Sequence, residues 1–132
     1  EVLNVVDEAT LIDWAGVVNV ALMGSQVLSA ERLHDLFELG YTRLVLGVLD
    51  GVPAATAMTI SDGDVAVLEM VSTLPAYRRL GLGTAMARAA AELLRRDGVR
   101  TVSLRSTPGS AGVYRSVGFV EYRRNVVVGV GP

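Results

Sequence analysis

A glycine-rich turn between a strand and a helix constrains this chain more than any other feature. Apolar residues predict a strand from Val65 to Val71, and a helical pattern follows from Leu82 to Arg96. The turn between them, residues 75–84, contains Gly81 and Gly83. This order brings unpaired N–H groups and the positive end of the helix dipole to one point. The turn therefore predicts an anion site, most often a site for phosphate.

Two familiar phosphate loops do not fit this turn. A Walker loop ends in Gly-Lys followed by Ser or Thr, and no glycine in the chain stands before a Lys in that frame. The dinucleotide-binding loop needs a third glycine for close helix packing, and Met86 occupies that position. A nucleotide-phosphate binder of another fold is therefore the weakest of the functional alternatives.

A third pattern, R-x-x-G-x-G, fits better. It is formed by Arg78, Gly81 and Gly83, with Pro75 and Tyr77 just before it. This segment resembles the acyl-CoA loop of the GNAT superfamily of N-acetyltransferases, which often reads P-x-Y-R-x-x-G-x-G. The simpler alternative is a plain strand-to-helix turn whose glycines serve geometry only, but such a turn needs no paired arginines.

A second motif supports the resemblance. Tyr114, Gly118 and Phe119 form Y-x-x-x-G-F, which is similar to a late signature of the same family and stands at the expected distance downstream. Two motifs in the right order are much stronger than either alone. The resemblance covers about residues 42–122, and the earlier part of the chain is not diagnostic.

The periodicity of the chain predicts an α/β (α+β) fold with a mixed central sheet. Strands at Thr42–Leu49 and Val52–Ile60 flank Asp50-Gly51, which is a strong hairpin signal. A second tight turn leads to Val65–Val71, so three strands form an antiparallel meander. A strand at Thr101–Arg105 follows a helical crossover and is expected to lie parallel to the third one. The same order of strands, flanked by helices, is what the GNAT resemblance implies.

The remaining elements are less regular. We predict a strand at about residues 1–6, a helix at 9–23, a helix capped by Ser29 with Leu33, Leu36 and Phe37 on its apolar face, a short helix at Ser110–Ser116, and an extended stretch at about Phe119–Val130. The 132 residues suit one domain over residues 1–132, either alone or as part of a longer chain.

Composition excludes several functional classes. The chain has no Cys and one His, so disulfides, thiolate zinc sites and a Cys nucleophile are excluded, and we expect no metal. A net charge of −2 argues against general nucleic-acid binding. The basic residues instead gather near the turn, which suits a polyanionic cofactor: Arg78, Arg79, Arg88, Arg95, Arg96, Arg100 and Arg105. For Arg88, Arg95 and Arg96 we prefer the simpler interpretation of a solvated surface.

A membrane span is not expected either. The longest apolar candidate, Trp14–Met23, is shorter than the ~18 residues that a span needs, and Gly16 and Asn19 interrupt it. The chain shows no basic-then-apolar leader, so we expect a cytoplasmic location.

The resemblance implies that acetyl-CoA is the cosubstrate. In the family, two central strands separate beyond the position of Val71, and the freed backbone groups meet the peptide-like pantetheine. Many members also carry an Asn after the strand that follows the long helix, where this chain has Ser106 and Thr107. The cofactor-binding residues that the resemblance implies are Val71, Ser72, Thr73, Arg78, Arg79, Leu80, Gly81, Leu82, Gly83 and Thr84.

Attack of an amine on a thioester requires a base for the amine, donors for the oxyanion and a proton for the thiolate. The resemblance implies that Tyr114 donates this proton and that the N–H of Val71 meets the oxyanion. A buried core tyrosine is the alternative for Tyr114.

Glu69 is the most attractive base. It interrupts an apolar strand, where a half-buried carboxylate would have a raised pKa. Strict alternation puts it on one face with Val67 and Val71, opposite Leu68 and Met70. The alternative is an exposed strand residue. Weaker candidates for lining an amine site are Glu31, His34 and Asp35.

Our first interpretation is an N-acetyltransferase that transfers an acetyl group directly to a primary amine in a ternary complex, since no Cys can form an acyl-enzyme. The alternative is a non-catalytic acyl-CoA-binding or sensor module, or the degenerate half of a tandem GNAT protein. The acceptor is a small-molecule or peptide amine of unspecified identity. Its specificity should lie in the first two helices, the loop Ser25–Ser29 and the final strands. The apolar stretch Asn125–Val130 would be a risky exposed edge, which makes a homodimer a hypothesis.

Overall fold

The secondary structure follows the predicted order. The computed structural model describes residues 1–23, 29–38, 40–106 and 109–121. The elements are β1 (Val2–Asn4), α1 (Glu8–Val18), a π-helical turn (Asn19–Met23), α2 (Ala30–Phe37), β2 (Thr42–Leu49), β3 (Val52–Asp62), β4 (Val65–Thr73), a 3-10 turn (Pro75–Tyr77), α3 (Leu82–Arg96), β5 (Thr101–Ser103) and α4 (Ala111–Val117). The predicted bounds of β2 and α3 are confirmed, whereas β4 is longer and β5 shorter than predicted.

The five strands form one sheet in the order β1-β2-β3-β4-β5. The first three pairings are antiparallel and the pairing of β4 with β5 is parallel, which confirms the predicted mixed sheet. Asp50 and Gly51 have φ angles of 51° and 78°. Positive φ at both central residues is what a tight two-residue hairpin turn requires.

Each of the first two helices begins directly after a residue whose side chain caps it. The side chain of Asp7 accepts a hydrogen bond of 2.8 Å from the N–H of Thr10 at the start of α1. The N–H of Arg32 donates to Ser29 Oγ at 3.3 Å, which confirms the predicted cap of α2. The predicted helix at 9–23 is α-helical only to Val18 and continues as the π-helical turn.

Two apolar clusters cover opposite faces of the sheet. The cluster on the α1 face contains the fully buried Trp14, whose Nε1 donates to Val45 O and Ala57 O at 3.1 and 3.2 Å. The cluster on the α3 face contains Met86 and Tyr114. Residues 24–28, 39, 107–108 and 122–132 lie outside the described residues, and so do most of the predicted specificity loop and the stretch Asn125–Val130.

Candidate active site

A β-bulge interrupts β4 close to its carboxyl end. The register between β3 and β4 shifts between Thr56 and Met58, so that two β4 residues, Met70 and Val71, lie opposite one residue of β3. Met70 has φ 49°, in the left-handed region that side chains other than glycine rarely adopt. No glycine marks this bulge in the sequence, so the periodicity of β4 alone did not predict it.

The bulge lies where the sheet opens. β4 and β5 pair only from Val65 to Val67, so the strands separate earlier than the predicted point beyond Val71. The N–H of Leu74 donates to Ala54 O on β3 at 2.8 Å. Because the bonding direction alternates along a strand, the N–H and C=O groups of Val71 and Thr73 face the other edge of β4. None of the described strands pairs with that edge at these positions.

The predicted anion loop follows directly from this open edge. After the 3-10 turn, Arg78, Arg79 and Leu80 are exposed, and Gly81 caps α3 with φ 81°. The first helical hydrogen bond of α3 is donated by the N–H of Ala85 to Gly81 O, at 3.0 Å. The N–H groups just before it have no helical partner, as at any helix start, and form the donor set of the predicted anion site.

One arginine of the loop folds back onto the open edge. Arg78 Nε donates to Thr73 O at 3.3 Å. This bond joins the loop to the end of β4, so the predicted cofactor-binding residues form one continuous path. On the other side of the loop, a Cβ on Gly83 would lie 3.8 Å from Val113 Cγ1, which shows how closely α4 packs on the first turn of α3.

Tyr114 lies in the apolar cluster on the α3 face, together with Val71 and Leu82. It is 9% exposed, and its ring meets Phe119 edge to face, with centroids 6.0 Å apart. Burial raises the pKa of the Tyr114 phenol. Among the described residues, Thr59 Oγ1 is the buried side-chain polar atom without a hydrogen-bond partner.

The burial predicted for Glu69 is wrong. Its side chain is exposed, and it pairs with Met58 on the α1 face of the sheet. It shares this face with Val67, as predicted, but Val71 packs on the α3 face and Met70 on the α1 face. The extra residue of the bulge reverses the alternation beyond Glu69, which the period-two pattern alone did not reveal.

The weaker amine-site candidates lie together in one pocket. A pocket of about 290 Å³ between α1 and α2 is lined by Glu8, Leu11, Glu31, His34 and Asp35. Glu8 was not predicted from the sequence, because it joins the others only through the packing of the two helices. Within the described ranges, no group of three or more His, Cys, Asp or Glu residues could hold a metal ion. The same ranges contain no helix with the length and apolar content to cross a membrane. Ser106 is exposed, and Thr107 lies outside the described residues.

Comparison with known proteins identifies a family and several solved structures to which this chain is similar. The model of the Acetyltransferase (GNAT) family matches residues 18–119, which is more than half of the chain. No curated protein matches the chain. A solved structure of a Trypanosoma brucei acetyltransferase is similar at 21% identity and a TM-score of 0.79, over 98% of this chain and 100% of the other.

Two aminoglycoside-modifying enzymes are also similar in structure. An aminoglycoside antibiotic 6'-N-acetyltransferase from Acinetobacter haemolyticus has 23% identity and a TM-score of 0.77, over 100% of this chain and 99% of the other. A related enzyme in complex with a bisubstrate analogue, CoA-S-monomethyl-acetylneamine, has 19% identity and a TM-score of 0.79, over 100% of this chain and 98% of the other. These likenesses confirm the predicted fold.

Proposed function

The chain belongs to the GNAT family of acetyltransferases, and on that premise we propose that it is an N-acetyltransferase that transfers an acetyl group from acetyl-CoA directly to a primary amine. Family membership establishes acyl transfer in general. The donor, the acceptor and the ternary complex are our proposal. The observation that carries it is the continuous path from the open edge of β4 to the helix-start loop, because such a path matches a long ligand with amide groups and phosphates.

The residues of this path have distinct tasks. The open-edge groups of Val71 and Thr73 would pair with the amides of pantetheine. The N–H groups at the start of α3 and the exposed charges of Arg78 and Arg79 would bind the phosphates. Bound acetyl-CoA supplies the activated acetyl thioester. The remaining cofactor-binding residues of the proposal, Ser72, Leu80, Gly81, Leu82, Gly83 and Thr84, shape the backbone of this path.

Three groups of the chain would handle charge and protons. The N–H of Val71 would donate to the thioester oxygen as negative charge develops on it. Tyr114 would donate its proton to the departing thiolate; a phenol is protonated at neutral pH, and burial, which raises the pKa of Tyr114, favours the same neutral form. Glu69 would accept the proton of the amine, and its exposure allows that proton to pass on to water.

The acceptor is proposed from charge. The carboxylates of Glu8, Glu31 and Asp35 give the pocket between α1 and α2 a negative potential, which suits a cationic amine. One similar structure is an aminoglycoside acetyltransferase in complex with sisomicin, which supports a small-molecule amine as the first class to screen. A cytoplasmic location, and a homodimer through residues 125–130, are further predictions; light scattering tests the dimer.

Thermal unfolding with acetyl-CoA tests the proposed cofactor site. A ligand at about a hundred times its Kd stabilises a protein by about 2.7 kcal/mol, which raises Tm by several degrees for a domain of this size. Gly81→Asp should abolish the shift, because it places a carboxylate at the phosphate site. Gly63→Asp is the matched control: Gly63 has a similar positive φ of 64°, but it lies in the β3–β4 hairpin at the other end of the strands. No shift in the wild type, or an equal shift in both variants, would contradict the proposal.

Turnover separates the enzyme from a binding module. With an amine panel, the wild type should acetylate at least one amine, and Tyr114→Phe should lower kcat by about a hundredfold with little change in acetyl-CoA binding. Glu69→Gln should also lower kcat. A thermal shift without turnover of any amine would favour the non-catalytic acyl-CoA-binding module instead.

A further inference from the structure

Two buried hydroxyl groups support the bulge in β4. Thr56 on β3 is 0% exposed and Ser72 on β4 is 5% exposed. Their side-chain oxygens lie 2.5 Å apart, and Thr56 Oγ1 also lies 2.8 Å from Met70 O. Buried hydroxyls destabilise a core unless they are hydrogen-bonded, and here each one is satisfied by the other strand.

The direction of these bonds follows from the chemistry of the groups. The Met70 carbonyl can only accept a hydrogen bond, so Thr56 uses its one hydroxyl proton there. Ser72 must then donate to Thr56 Oγ1. The result is a chain of donors from Ser72 through Thr56 to Met70 O. It holds the carbonyl of a residue whose φ of 49° is otherwise unfavourable for a side chain.

The bulge decides which way the N–H of Val71 points. The N–H of Ser61 bonds Tyr41 O on the β2 side at 2.9 Å, so its neighbour Ile60 bonds towards β4, where its partner is Val67. In a regular strand, the backbone groups of every second residue face the same neighbour. Without a bulge, the N–H of Val71 would therefore point towards β3, as that of Val67 does. The extra residue reverses this direction and turns Val71 to the open edge.

We propose that Thr56 is a positioning residue for acyl transfer: its hydroxyl, oriented by Ser72, holds the Met70 carbonyl and thereby keeps the Val71 N–H directed at the open edge of β4. This inference rests on the proposed function, in which that N–H meets the thioester oxygen. Thr56 itself touches neither ligand, because it lies inside the sheet. It acts only through the backbone of β4.

Two substitutions of Thr56 test this role. Thr56→Val keeps the shape of the side chain but removes the hydroxyl, and we expect kcat to fall by about ten- to a hundredfold, approaching the loss of an oxyanion donor. The KM for acetyl-CoA should change by less than about twofold, because the N–H acts mainly on the transition state. Thr56→Ser keeps the hydroxyl and should restore kcat to within about threefold of the wild type.

The same strand offers a matched control. Thr59 is also 0% exposed, but its Oγ1 has no hydrogen-bond partner in the described part of the chain. Thr59→Val should therefore leave kcat unchanged. If Thr59→Val lowers kcat as much as Thr56→Val, or if Thr56→Val retains wild-type kcat, the proposal is wrong. If Thr56→Val does not fold, Ser72→Ala decides: lowered kcat supports the proposal, and wild-type kcat overturns it.

Crystal structures of the wild type and Thr56→Val separate this inference from the proposed function. The φ angle of Met70 should be positive in the wild type and should leave the left-handed region in the variant. This readout needs no substrate. If no amine is acetylated, the proposed function fails, but the φ angle of Met70 still tests whether Thr56 holds the bulge. An unchanged positive φ in Thr56→Val would overturn this role of Thr56, and a changed φ would support it.

Discussion

Tyr114 and Glu69 are two ionisable side chains with opposite surroundings: Tyr114 is buried and Glu69 is exposed. The Tyr114 ring packs in an apolar cluster, as expected for a core tyrosine, and its role as a proton donor stays a prediction. Glu69 interrupts an apolar strand, yet it is exposed. At the scale of the residue, burial therefore distinguishes the two groups: it raises the pKa of the Tyr114 phenol, whereas the Glu69 side chain is in contact with water.

The raised pKa of Tyr114 predicts a pH dependence of stability. Because the folded protein holds this proton more tightly than the unfolded chain, the stabilisation is fully present below the unfolded pKa of about 10 and is lost as pH rises through the higher folded pKa. In urea unfolding at pH 9 and pH 11, Tyr114→Phe should lose less stability than the wild type. Tyr41→Phe is the control, since Tyr41 is 47% exposed. Equal losses in the two variants would contradict this prediction.

At the scale of the element, close packing of α3 on β2 depends on a missing side chain. A Cβ on Gly47 of β2 would lie 2.8 Å from Met86 Sδ and 3.2 Å from Ala55 Cβ. Met86 is fully buried in the cluster on the α3 face, so it has little room to move away. The helix that carries the anion loop thus lies against the sheet at a position that only glycine permits without rearrangement.

Two glycine substitutions should have opposite effects on stability. Gly47→Ala should reduce the free energy of unfolding by about 1–3 kcal/mol, because the new methyl group overpacks the contact with Met86. Gly16→Ala in α1 should increase it by about 0.4–1 kcal/mol, because nothing lies within 4 Å and alanine has less freedom in the unfolded chain. Urea titration measures both. A Gly47→Ala variant as stable as the wild type would contradict this prediction, because it would mean that Met86 moves away from the new methyl group without a loss in the free energy of unfolding.

At the scale of the whole molecule, one sheet separates two apolar clusters that share its strands. An ion pair between Arg43 Nε on β2 and Asp97 Oδ2 at the end of α3, 2.7 Å long, adds a further connection between sheet and helix. Neither cluster can lose its strands without exposing the other, so we expect both to unfold together.

Cooperative unfolding tests the prediction of one domain over residues 1–132. Trp14 is the one tryptophan of the chain and reports on the α1 face, while far-UV circular dichroism reports on all elements. Both signals should give the same urea midpoint, and the Trp14 emission should shift to the red as the ring leaves the core. Separate midpoints would indicate two units that unfold independently.

Local chemistry in the sequence determined the order of the elements, the hairpin at Asp50-Gly51 and the helix-start loop at Gly81. These depend on backbone angles that a few neighbouring residues control. Only the tertiary structure decided the direction of Val71 and the exposure of Glu69. The exposure of Glu69 depends on which distant parts of the chain cover its face of the sheet. The direction of Val71 depends on one extra residue in the ladder between β3 and β4, held by hydroxyls on two strands. Such a bulge is stabilised by contacts distant in sequence, and no short-range pattern along β4 encodes it.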